Sequence, residues 1–190
     1  YTLGTLSINA SVLTIAGGSN VSSGMAGVTF SGATTFTAAS PTFTINNPAG
    51  GGTTQLSVAA VAPGGFTATI NGNGNVVQTG VWGATAGGIT YSGTGTLTLN
   101  QANTFTGLLR VNSGTVIGTA NAGALGAGTL TLAGGTLKLT NASGSNLSFG
   151  RNTTVSGAAQ IVSDVNASGA GNTYTLGTLS INASVLTIAG

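Results

Sequence analysis

Four side chains in this chain carry a formal charge: Arg110, Lys138, Arg151 and Asp164. There is no histidine and no cysteine. Glycoside hydrolysis takes a pair of carboxylates, and Asp164 stands alone. A serine or cysteine nucleophile activated by histidine cannot be assembled. Lyase chemistry would need a base and usually a metal. Calcium repeats need aspartates in series, and thiolate metal sites need cysteine. The Gly72–Gly74 segment is followed by no Gly-Lys-Ser/Thr and is no phosphate cradle. Arg110 and Arg151 could hold an anion, but they read best as solvated surface cations. Asp164 reads as a turn cap beside Asn166, with pairing to a nearby cation as the alternative. The sequence therefore predicts a chain that is not an enzyme, with no catalytic, cofactor-binding or metal-ligating residue.

Charged residues make up 2% of the chain, against roughly 25% in ordinary soluble domains. A pI near 9.5 rests on a net charge of +2, and three scattered cations make no track for nucleic-acid phosphates. Hydrophobic residues are 41% and mean hydropathy is +0.41, which argues against disorder. The 34 glycines follow no period of three, which excludes collagen. No apolar run approaches the roughly 18 residues of a membrane helix. A transmembrane barrel also alternates, but its strands are longer, about 9–11 residues, and carry aromatic girdles.

Alternation is the main local signal. Thr96-Leu97-Thr98-Leu99 and Thr129-Leu130-Thr131-Leu132 have the period of two of a strand with one buried face. The leucines should point inward and the threonines outward. Gly95, Gly114, Gly135 and Gly177 open similar runs, at nearly equal steps of which the last is double. A recurrence of about 21 residues predicts a β-solenoid, in which each unit is one coil and stacking supplies the core.

Residues 1–17 and 174–190 are identical, YTLGTLSINASVLTIAG. This divides the chain into one tandem repeat, 1–173, and the start of the next, 174–190, and suggests a longer parent cut from an array. Taking Gly4, Gly32, Gly52, Gly74, Gly95, Gly114, Gly135, Gly157 and Gly177 as coil starts gives about eight coils per repeat. The long first step should carry a loop near Gly17–Asn20.

Thr35-Phe36-Thr37, Thr42-Phe43-Thr44, Thr104-Phe105-Thr106 and Thr173-Tyr174-Thr175 look like a second face with an aromatic inward. Pro41, Pro48 and Pro63 belong at strand ends or turns. Asn residues in successive turns could form ladders that satisfy backbone groups. Trp82 reads as core packing, with ligand stacking as the alternative. Asn-x-Ser/Thr triplets at Asn20, Asn141, Asn146, Asn152 and Asn166 read as chance in so Asn-, Ser- and Thr-rich a chain.

Gly95-Thr96-Leu97-Thr98-Leu99, Asn103-Thr104-Phe105-Thr106-Gly107, Val111-Asn112-Ser113-Gly114-Thr115-Val116 and Leu125-Gly126-Ala127-Gly128-Thr129-Leu130-Thr131-Leu132, with Gly134-Gly135-Thr136-Leu137, together resemble the autotransporter-associated β-strand repeat, or passenger-associated transport repeat. The resemblance covers about 45 residues. It implies a right-handed parallel β-helix in a bacterial surface protein, usually secreted by the type V route. Right-handed coiling is also expected of parallel crossovers in general. The expected function is a structural segment of a long extracellular or cell-surface fibre, outer-membrane-associated or secreted, whose partners are identical repeats of the same or neighbouring chains. The alternatives are an adhesin passenger that binds glycans or surfaces and, more remotely, an ice-binding solenoid built on Thr-x-Thr triplets. No nucleic-acid partner and no membrane span within this segment are expected.

Overall fold

The computed structural model describes residues 1–83 and 85–190. It is an all-β, right-handed parallel β-helix, and every strand pair is parallel. Each coil has three faces. The first face is a nine-stranded sheet of β1 (Thr2–Leu3), β4 (Met25–Phe30), β7 (Thr53–Val58), β10 (Asn75–Gln78), β12 (Thr96–Leu99), β14 (Thr115–Thr119), β16 (Thr136–Thr140), β19 (Ala159–Ser163) and β22 (Leu186–Ala189). The third face has eight strands: β3 (Val12–Ala16), β6 (Thr42–Asn46), β9 (Ala68–Gly72), β11 (Ile89–Tyr91), β13 (Leu109–Val111), β15 (Leu130–Leu132), β18 (Thr153–Val155) and β21 (Leu179–Ile181).

The second face lies between them along the chain and is less regular. It begins with β2 (Leu6–Ile8), β5 (Thr34–Phe36) and β8 (Val61–Ala62), continues through a single bridge from Val61 to Trp82, and ends with β17 (Leu147–Ser148) and β20 (Tyr174–Thr175). Backbone bonds tie its middle rungs together, Thr104 N–H to the Trp82 carbonyl at 3.0 Å and Ala127 N–H to the Phe105 carbonyl at 2.7 Å.

The alternating residues divide as their pattern predicts. On the first face Leu56, Val76, Leu97, Val116, Leu137 and Ile161 stack as direct partners and point inward. On the third, Phe43, Ile70, Tyr91, Val111, Leu132 and Val155 do the same. Phe36, Phe105 and Phe149 fill the interior from the second face. Phe43 belongs to the third face rather than to the face of Phe36. The two rings nevertheless meet across the core at 6.1 Å, so the Thr-Phe-Thr pattern reports an inward aromatic and not a particular face.

The coil count changes for the same reason. Glycines mark all three corners of the triangle, not one. Gly52, Gly74, Gly95, Gly114, Gly135 and Gly157 lead into first-face strands, Gly4 and Gly32 into second-face strands, and Gly177 into the third-face β21. Counted along the strands, residue 2 lies on the first face of coil one and its copy, residue 175, on the second face of coil eight. The 173-residue unit is therefore seven and a third coils rather than eight. Loops 17–24, 47–52, 141–146 and 164–173 lengthen the outer coils, while in the middle Val76, Leu97, Val116 and Leu137 follow at nearly even steps.

Close approach explains the corner glycines. A Cβ on Gly95 would land inside the contact radius of the Gly74 carbonyl oxygen, one coil below. Gly114 has φ 61°, the left-handed region that glycine enters without steric cost. Gly4 has nothing within 4 Å of such a Cβ.

One interior polar cluster interrupts the apolar columns. Gln78, fully buried, pairs with Val58 and exchanges amide hydrogen bonds with buried Asn103. The Asn103 carbonyl also accepts from the Trp82 backbone N–H at 2.9 Å, and its NH₂ donates to the Ala124 carbonyl at 2.8 Å. The two amides thus supply the bonds that the irregular second face does not make for itself, as burial of polar groups demands.

Two substitutions test this packing. Gly95→Ala should destabilise by about 1–3 kcal/mol through overpacking, and Gly4→Ala should not, as read from urea midpoints. Asn103→Ala strands the Gln78 amide and the Trp82 N–H and should cost about 2–3 kcal/mol; a cost no larger than that of an exposed Asn→Ala change would contradict the role given to the cluster.

Candidate functional site

The charged side chains do not converge. Arg110 points outward from β13 and donates from Nε to Asn112 Oδ1 at 2.7 Å. Arg151 donates to the Phe149 carbonyl at 2.8 Å. Lys138, on the outer side of β16, meets Asp164 across the neighbouring corner, with Nζ 2.6 Å from a carboxylate oxygen. Asp164 also accepts from the adjacent Val165 N–H at 2.8 Å, while the Asn166 N–H donates to the Asn141 carbonyl, so the alternative of pairing with a cation is what the structure shows and no turn cap over Asn166 forms. The Lys138 hydrogen bond, then the Val165 N–H, then the Lys138 charge hold its carboxyl below the ordinary 3.8. Among the described residues no three His, Cys, Asp or Glu side chains lie close enough to share a metal.

Trp82 is buried, 3% exposed, and packs in the core. Beside it lies an apolar void of about 10 Å³, bounded by Phe36, Phe43, Leu56, Val58, Ile70 and Trp82. That is about the space of one water, well below the roughly 300–1,000 Å³ of a ligand pocket. The Asn ladder is present in part: Asn75 Oδ1 accepts from Thr96, Asn73 Oδ1 from the Asn47 N–H, and Asn152 Oδ1 from the Thr178 N–H. These amides join one coil to the next, and the hollow beside Asn47, Asn73 and Thr94 is shallow and open.

The features that remain are the two open mouths. In the first described coil Leu3 faces the interior and is 49% exposed, while Ile15 is buried at 8%. In the last coil Leu179, Ile181 and Ile188 also face the interior, exposed by 52, 47 and 65%. Leu179 and Ile188 line an open hollow with Leu139, Ile161 and Leu176. The exposure of Leu3, Leu179, Ile181 and Ile188 follows from position in the stack, which no local pattern carries.

The two mouths are built from the same seventeen residues. Inside and outside are preserved: Leu6, Ile8, Leu13 and Ile15 stack on Thr34, Phe36, Phe43 and Ile45, and their copies Leu179, Ile181, Leu186 and Ile188 stack on Thr153, Val155, Ala159 and Ile161. The face is not preserved. Residues 1–17 run over faces one, two and three, and residues 174–190 over faces two, three and one.

Compared with protein-family models, curated proteins and solved structures, the chain finds no match.

Two groups, one buried and one exposed, set a pH profile. The Tyr91 hydroxyl has no hydrogen-bond partner, and burial raises its pKa above the ordinary 10.0. A raised folded-state pKa gives stability that is complete below the unfolded value and lost as pH climbs past it. Asp164 is the reverse: its lowered pKa contributes above the unfolded value, and the contribution is lost as pH falls through the folded one. Stability should be level from about pH 5 to 9 and decline above about pH 10. Tyr91→Phe should leave neutral-pH stability within about 1 kcal/mol, since no hydrogen bond is lost, and should flatten the alkaline decline in urea midpoints. An equally steep decline in the Tyr91→Phe chain would place its origin elsewhere.

Proposed function

We propose that the chain is a structural segment of a long bacterial extracellular or cell-surface filament, made by stacking identical β-solenoid repeats end to end. The observation that carries this reading is the seventeen-residue identity at the two open mouths. Each mouth presents unpaired backbone groups and inward apolar side chains, the kind of edge that soluble proteins ordinarily cover. The sequence that continues each mouth is present at the other end of the same chain. In such a stack the shared segment lies between Thr153, Val155, Ala159 and Ile161 of one unit and Thr34, Phe36, Phe43 and Ile45 of the next, and the apolar columns run on.

The resemblance to autotransporter-associated repeats agrees with this reading and adds secretion to the cell surface as part of the proposal. The side walls favour a rod over a lateral binding surface. Thr96 and Thr98 lie on the first face, Thr35 and Thr37 on or beside the second, and Thr42 and Thr44 on the third, so the Thr-x-Thr triplets do not gather on one flat side.

The 190-residue chain should form elongated oligomers whose length grows with concentration, seen by sedimentation velocity and negative-stain images. Leu179→Lys puts a charge into the mouth and should leave a folded monomer with an unchanged circular dichroism spectrum. A chain that stays monomeric at millimolar concentration with both mouths intact would refute the reading.

A further inference from the structure

We infer that successive 173-residue units in a tandem array are each turned by one third of a coil, so that their protruding loops wind around the rod as a threefold screw. The inference rests on the proposed iteration of the unit and says how the iteration is built. Its origin is the change of face between two identical segments. Thr2 pairs with Thr29 on the first face, while its copy Thr175 pairs with Ser148 on the second. Ile15 pairs with Ile45 on the third face, while its copy Ile188 pairs with Ile161 on the first.

The shared segment can be joined from both sides. Its partners below are known from residues 147–162, and its partners above from residues 29–46. All pairings are parallel and use the same inward side chains. Superposing the two copies therefore extends the solenoid without a break, and the extension starts one face further round. A whole number of coils per unit would require residues 174–190 to take up the faces of residues 1–17, which they do not.

The loops supply a second, independent observation. Near the beginning of the unit the long loops, 17–24 and 47–52, follow third-face strands. Near its end the long loops, 141–146 and 164–173, follow first-face strands. Within each pair the loops are bonded to one another. Gly52 N–H donates to the Val21 carbonyl at 3.3 Å. Ser145 N–H donates to Asn172 Oδ1 at 2.8 Å, and Asn172 Nδ2 to the Ala142 carbonyl at 2.9 Å. Gly190 is the copy of Gly17 and follows the first-face strand β22. In the array, the next copy of loop 17–24 thus leaves from the same corner as 141–146 and 164–173. The one-third turn brings all four loops into one continuous stack at every junction. Without it the stack would be divided between two corners. Between junctions the corners are short, as at 73–74, 92–95 and 112–114, and the wall is smooth.

The test is an electron cryomicroscopy reconstruction of a single chain carrying four successive units, which contains the present 190 residues intact. The expected image is a continuous rod with one loop cluster per junction. Each cluster should be displaced by about 35 Å along the axis, from seven and a third coils at about 4.8 Å each. It should be rotated by about 120° beyond the twist measured over the smooth coils, returning to its starting side after three units. A continuous rod with its clusters in line on one side overturns the one-third turn and leaves the filament reading standing. A chain of units hinged at the junctions overturns both.

Discussion

In-register parallel stacking is the constraint on which the rest of the structure depends. A coil of about 21 residues cannot bury its own apolar face, and it gains a core only from the coils above and below. Every position is then judged by what lies one coil away. An inward leucine finds Val116 over Leu97 and Leu137 over Val116. A corner residue finds the carbonyl of the previous turn, which is why Gly95 has no room for a Cβ over Gly74. The backbone hydrogen bonds run along the axis, and the side chains have to agree with that repeat.

The same constraint gives a physical reason for the low charge. Direct partners in a parallel stack are about 4.8 Å apart, and like charges at that distance repel by about 1 kcal/mol per pair even in water. An uncharged outer ladder avoids this. Thr96, Thr115 and Thr136 follow one another on the first face, and Thr42, Thr69 and Thr90 on the third. The charges that do occur are isolated within their columns. Arg110 lies between Thr90 and Thr131, and Lys138 between Ile117 and Val162. Threonine and asparagine keep the wall wet and bond across coils.

The fold was legible in the sequence because its signal is local and repeated. Thr96–Leu99 and Leu130–Leu132 alternate as one-sided strands must, and Gly95, Gly114 and Gly135 mark out the recurring step. The phase of the coil was not legible. A Gly-Thr-Leu run fits any tight corner, so Gly4, Gly95 and Gly177 look alike although they open three different faces. The second face was legible only through its aromatics, since much of it has no regular ladder and is held by Gln78 and Asn103, whose pairing spans 25 residues. The mouths were hidden for a different reason. Residues 1–17 and 174–190 are the same letters, and only the partners chosen by each copy distinguish them.

In-register pairing can be observed directly by nuclear Overhauser contacts between backbone protons of adjacent coils in the isotope-labelled 190-residue chain. The predicted result is an unbroken parallel series in which Val76 is matched to Leu97, Leu97 to Val116, Val116 to Leu137 and Leu137 to Ile161. Contacts that run in the opposite sense between Thr96–Leu99 and Thr115–Thr119, or that skip a coil, would contradict the account.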